Sequence, residues 1–172
     1  MKKNALSQIT KSAIFVALLA IGGIISISIP MIRTPFSLQV FFVLLASLVL
    51  GPLYGSISVF AYILLGVIGI PIFAGMRSGP AILFGPTGGF LIGFFVSVSV
   101  IAFLSKKLHL LLSLLLGLLV IYLFGSLQYA FVANVSFGKS LLVAVLPFIP
   151  LDCFKALLAY EIYSKLKKLK QI

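Results

Sequence analysis

Asp152 and Lys155 are the two side chains in this sequence best suited to hold a small molecule. They stand three residues apart, so a helix would place a carboxylate and an ammonium on one face. Each charge would cost about 2.5–3.5 kcal/mol at the centre of a membrane span, so their presence in an apolar segment needs a cause. Two causes remain open. The pair anchors its own helix as a self-satisfied ion pair. Alternatively it marks a solute site, where Asp152 accepts from ligand N–H groups and Lys155 donates to a carbonyl or carboxylate. An aspartate in a first helical turn also gains from the helix dipole.

The second feature is the block from Ile70 to Phe90, where glycine, proline and a lone Arg77 interrupt an otherwise apolar chain. Non-helical backbone at membrane depth survives only where protein buries it or water lines it, which makes this block a place to look for a ligand. Arg77 is either a solvated loop cation or a partner for a ligand carboxylate. Gln39 is either an amide that ties helices together or a ligand contact. Phe73 and Tyr122, with Tyr129, either wall a pocket or simply pack. Gln128 and Asn134 read as interfacial, and His109 as a loop residue beside Lys106 and Lys107.

Several chemistries are excluded. Gly85-Pro86-Thr87-Gly88-Gly89 lacks the Gly-Lys-Ser/Thr ending of a phosphate loop, so it reads as a tightly packed helix start. One histidine, one cysteine and two acids supply neither a metal cluster nor a nucleophile–base pair. The expectation is a protein that is not an enzyme and needs no cofactor. With a single cysteine, Cys153, there is no internal disulfide.

The elements that must position these residues follow from composition. The 172 residues are 62% hydrophobic and 9% charged, against about 25% charged in a soluble domain. Such a chain belongs in a bilayer. Its length suits six spans of about 20 residues. Glycine and proline mark the boundaries: about Ser12–Ile29, Phe36–Leu50, Leu53–Ile70, Pro86–Ser105, Leu108–Phe124 with room to extend to Ala133, and a last span between Ser140 and Tyr163 broken by Pro147 and Pro150. The first run imitates a signal peptide but lacks a small-residue cleavage site and reads as a retained span.

The net charge of +11 is a topology signal rather than a nucleic-acid footprint. With the N-terminus in the cytoplasm, Lys2, Lys3, Lys11, Lys106, Lys107, Lys165, Lys167, Lys168 and Lys170 collect inside, while Arg33, Arg77 and Lys139 lie outside. Gln39, Thr34, the Phe73–Phe84 segment, Asp152 and Lys155 then converge on the outer side. Glu161 and Lys165 are spaced for an i,i+4 pair. Ala13 and Ala17, followed by Ala20, Gly22 and Gly23, give the first span a small-residue face. It packs either inside this chain or against another membrane subunit.

These residues resemble the BioY family, the biotin-binding S components of energy-coupling factor (ECF) transporters. The segments that carry the resemblance are Thr34-Pro35-Phe36-Ser37-Leu38-Gln39, Leu50-Gly51-Pro52-Leu53-Tyr54-Gly55, Gly69-Ile70-Pro71-Ile72-Phe73-Ala74-Gly75, Phe84-Gly85-Pro86-Thr87-Gly88-Gly89-Phe90-Leu91-Ile92-Gly93-Phe94, Ile121-Tyr122-Leu123-Phe124-Gly125 and Leu146-Pro147-Phe148-Ile149-Pro150-Leu151-Asp152-Cys153-Phe154-Lys155-Ala156. They run in order along essentially the whole chain.

The resemblance implies an all-α integral membrane protein: a six-transmembrane-helix bundle forming one domain over residues 1–172, multi-pass in the cell membrane, with both termini cytoplasmic. It implies that biotin binds near the outer surface, that Asp152 and Lys155 match the family's Asp-x-x-Lys contact positions, and that the loop after the third span covers the ligand. Gln39 or Arg77 would serve the carboxylate, and Phe73 and Tyr122 the apolar part. Ala13-x-x-x-Ala17 is similar to the motif through which S components dock. The expected partners are a transmembrane coupling subunit and two ATPase subunits. An S component for another vitamin, and a structural subunit that binds nothing, are the rival readings.

Overall fold

The structure is a computed structural model and describes residues 2–27 and 35–169. The expected end of the first span at Ile29, with Arg33, Thr34 and Lys170, lies outside the described residues. Helix α1 (Lys2–Ile24) is followed by a two-stranded antiparallel ribbon, β1 (Ser26–Ile27) with β2 (Phe36–Ser37), pairing Ser26 with Ser37 and Ile27 with Phe36. Then come α2 (Gln39–Val67), the short α3 (Ala81–Phe84), α4 (Gly88–Leu104), α5 (Leu110–Ala133), α6 (Phe137–Ala144), a 3-10 turn (Leu146–Phe148) and α7 (Ile149–Lys168).

One boundary and one element differ from the sequence expectation. The first helix begins ten residues before Ser12, because its polar opening turns are good helix formers that need no bilayer. The ribbon was also unforeseen in an all-helical reading.

Gly51 divides α2. Its backbone, φ 71° and ψ −170°, is non-helical, and it precedes Pro52, which has no N–H to continue a helix. The chain reverses there. Gln39 hydrogen-bonds Tyr62, 23 residues on, where a straight helix would hold them about 34 Å apart. The sequence placed a boundary at this dipeptide for the same reason.

Helix α1 packs on α2, α2 on α4 and α7, α4 on α5, and α5 on α6 and α7. The α4–α5 contact is made by small residues. A Cβ on Gly93 would lie 2.9 Å from Ile121 Cα, and one on Gly117 2.2 Å from an Ile101 side-chain carbon. Without a hydrophobic drive between helices in lipid, this close approach is what holds them together.

Four helical stretches are long and apolar enough to cross a bilayer: Ala5–Ile24, Gln39–Val67, Leu110–Ala133 and Phe137–Lys168. Gly88–Leu104 is apolar but shorter. Large apolar side chains cover the outside, with Phe131 84% and Phe84 80% exposed. Water would not tolerate such a surface and lipid does, so this is a membrane protein.

The lysine clusters gather at one end of the bundle. Ser12 reaches the Tyr54 carbonyl near the Gly51 reversal, and His109 meets the ring of Tyr160. Lys106 and Lys107 follow α4, and Lys165, Lys167 and Lys168 close α7 at that same end. Glu161 and Lys165 form no ion pair. Asp152–Lys155 is the only salt bridge among the described residues. Exposed pairs of this kind gain too little to hold two long side chains in place.

Candidate functional site

The other end of the bundle holds a cavity that opens to the outside of the bundle. Gln39, Phe73, Arg77, Tyr122, Asp152 and Lys155 all line it. Four elements bring them together: the start of α2, the loop after it, the middle of α5 and the start of α7.

Pro150 lies in the first turn of α7, where its missing N–H costs nothing, and Asp152 follows in the same turn. Asp152 is 2% exposed. Its Oδ1 accepts from Lys155 Nζ at 2.7 Å and its Oδ2 from the Tyr122 hydroxyl at 2.9 Å. Lys155 Nζ also donates to the Ser37 carbonyl at 2.7 Å. The network therefore ties α7 to α5 and to the ribbon. Two of the three ammonium hydrogens are engaged, and each carboxylate oxygen keeps a second lone pair. The pair thus offers both a donor and acceptors to a neutral polar ligand. Among buried groups this is the arrangement that avoids an uncompensated charge.

Apolar groups dominate the rest of the lining. Leu91, Phe90 and Phe94 come from α4, Ile121 from α5, and Phe148 from the turn before α7, where its ring stacks on Phe36 at 4.3 Å. Mostly apolar walls with a few convergent polar groups are typical of small-molecule sites.

The loop from Gly69 to Pro80 forms a tight cover. Phe73 and Arg77 exchange two backbone hydrogen bonds, of 3.0 and 3.3 Å, across a tip in which Gly75 and Met76 have positive φ. The Gly75 N–H donates to Ser26 Oγ at 2.8 Å and the Gly79 N–H to the Gly66 carbonyl at 2.8 Å. Phe73 is buried because Gly66 has no Cβ; one placed there would sit 2.2 Å from the ring. Arg77 is exposed, and its Nε donates to the Ala74 carbonyl at 3.0 Å.

Other residues take different places. Gln39 is buried with its amide engaged on both sides, by Ser37 Oγ and Tyr62. Gln128 donates to the carbonyls of Leu83 (2.5 Å) and Gly85 (2.8 Å) and so holds α3 against α5. Asn134 ends α5 in the left-handed conformation. Neither lines the cavity. The small residues of α1 split between two faces: Ala13 and Ala17 point outward, while Gly22 and Gly23 face α2 and the cover loop. Ser37, Thr87, Phe90 and Phe148 line the site without having been singled out. Thr87, Phe90 and Phe148 carried a signal in the sequence, by lying in or beside glycine- and proline-marked boundaries.

A helical membrane protein with a charged pair sealed into an apolar cavity, beneath a short covering loop, is a solute-binding subunit in architecture. The comparisons give the particular family. The BioY family model matches residues 1–171, and the chain belongs to that family. It is 44% identical over 160 residues to a probable biotin transporter BioY of Pyrococcus horikoshii, covering 93% of this chain and 96% of the relative. It is 41% identical over 167 residues to the biotin transporter BioY of Thermotoga maritima, covering 95% and 97%. The crystal structure of an S-component for biotin from an ECF-type ABC transporter superposes with a TM-score of 0.91 at 34% identity, covering 98% of this chain and 94% of that one.

Proposed function

We propose that this chain is the S component of an ECF transporter: it captures biotin from outside for uptake driven by ATP-hydrolysing partners. The observation that carries this is the Asp152–Lys155 pair opening into an apolar cavity at the end of the bundle opposite the lysine clusters. Biotin is an amphipathic anion whose ureido ring has two N–H donors and a carbonyl. Asp152 accepts from the former and Lys155 donates to the latter. Phe73 and Tyr122 contact the apolar thioether ring and tail. Arg77, at the exposed rim, pairs with the carboxylate, and Gln39 supports the wall.

The same reading sets the topology. The two arms of α2, 39–50 and 52–67, count as separate spans, which gives six with α1, α4, α5 and α7. The positive-inside rule puts the lysine-rich end, both termini included, in the cytoplasm and the cavity outward. The whole chain is then one multi-pass domain of the cell membrane.

A thermal-shift panel of vitamins on the detergent-solubilised chain tests the ligand. Binding to the folded state alone adds about 2.7 kcal/mol at a hundred times Kd, so biotin is expected to raise Tm by several degrees and other vitamins not to. A shift by a different vitamin, or by none, overturns the reading.

The partners are a transmembrane coupling subunit and two ATPases, since this chain has no nucleotide site of its own among the described residues. The outward face of Ala13 and Ala17 supports docking through α1. Ala13→Leu with Ala17→Leu is expected to leave biotin binding within twofold and to reduce ATP-driven uptake with the partners at least tenfold. Binding assays and vesicle uptake check it together.

A further inference from the structure

A hydrogen-bond relay starts in the cavity wall at Ser37 and Gln39 and runs back from the cavity to Tyr62. Ser37 Oγ donates to Gln39 Oε1 at 3.0 Å, Gln39 Nε2 donates to Tyr62 Oη, and Tyr62 Oη donates to the Ile72 carbonyl at 3.1 Å. Tyr62 is fully buried and lies outside the cavity lining. Its ring meets Phe73 edge-on at 5.7 Å. The Ile72 carbonyl that it holds is the last backbone group before the Phe73–Arg77 turn.

We propose that Tyr62 is a positioning residue that keeps the cover loop shut over the ligand, and that Gln39 acts through Tyr62 rather than on the ligand. The turn is stiffened by its own two backbone bonds, so it moves as a unit about its attachments. One attachment, Gly75 to Ser26, is exposed, and water can replace it at little net loss. The Ile72 attachment is buried, and a carbonyl freed there finds no water. Gln39 has its amide oxygen and one amide hydrogen committed, which orients Tyr62 Oη toward Ile72 and leaves the ligand little to use. The Gly79–Gly66 bond lies at the far stem of the loop, where it can persist as a hinge, so the Phe73–Arg77 tip opens chiefly by breaking the Tyr62 bond.

The ligand arm of the test rests on the biotin reading. Tyr62→Phe keeps the ring against Phe73 and removes the hydroxyl. Labelled biotin is expected to leave this variant at least tenfold faster while its association rate stays within threefold. Gln39→Leu is expected to do the same, and the double variant to be no faster than Tyr62→Phe, since both act on one bond. A second arm needs no ligand: in an Ala74→Cys, Cys153→Ser background, Tyr62→Phe is expected to speed thiol labelling at residue 74 at least fivefold.

Wild-type dissociation and labelling in Tyr62→Phe would overturn the proposal. So would a loss of affinity in Gln39→Leu that Tyr62→Phe does not share, which would put Gln39 on the ligand. If the unmodified chain binds no biotin, the ligand reading fails and the labelling arm still decides the loop. If Tyr62→Phe does not fold, Gln39→Leu decides it by the same two readouts.

Discussion

Asp152→Ala is expected to destabilise the folded chain by about 3–5 kcal/mol and to weaken biotin binding at least a hundredfold. Removing the carboxylate leaves the Lys155 ammonium buried with only the Ser37 carbonyl, and leaves the Tyr122 hydroxyl without its acceptor. Breaking one side of a buried pair is costly for this reason. Replacing both charges is another matter. Asp152→Leu with Lys155→Met leaves no orphan charge and is expected to recover most of the stability, since apolar replacements of buried pairs are often neutral. It is not expected to recover binding. Thermal melts in detergent and biotin titration of both variants separate the two roles. Wild-type affinity in the double variant would make the pair a mere anchor.

Gly89→Ala is expected to have the next largest effect. The added methyl would sit 2.2 Å from the Phe124 carbonyl oxygen and 2.7 Å from Gln128 Cβ. Backbone cannot step aside as a side chain can, so α4 and α5 must part. Overpacking of this kind costs about 1–3 kcal/mol or more. Separation also spreads the cavity, because Phe90, Leu91 and Phe94 on α4 face Ile121 and Tyr122 on α5. Binding is expected to fall at least tenfold together with Tm. Gly138→Ala is the control. Nothing lies within 4 Å of its Cβ, and alanine favours the helix, so Tm is expected to hold or rise slightly.

The parts of the fold legible in the sequence are those fixed by local chemistry. Gly51-Pro52 reverses the chain because one residue takes positive φ and the next lacks a donor, both visible in the residue types. Pro150 and Asp152 announce the start of α7 in the same way, and the spacing of Asp152 and Lys155 already puts them on one face. Gly88 and Gly89 read as a close approach, and they lie against Leu83, Phe124 and Gln128.

What escaped depends on register between distant segments. No local pattern says that Lys155 will find the carbonyl of Ser37, 118 residues earlier. None says that Tyr62, one aromatic among many in an apolar run, will meet both Gln39 and Ile72. The small residues of α1 looked like one face because a stripe of alanine and glycine does not reveal which side turns inward. The opening turns of α1 were missed because hydropathy detects a span, not the polar helix that precedes it.

The two faces of α1 have a mechanical consequence. Gly23 lies against the Ile72 carbonyl, so closely that a methyl would come within 2.1 Å of that oxygen. Ala17, on the outward face, is only about 9 Å away along the helix axis. The helix is thus a lever with a very short arm. Tilting it from outside the bundle would press Gly23 directly on that oxygen, since a close contact without a bond passes on a push and not a pull.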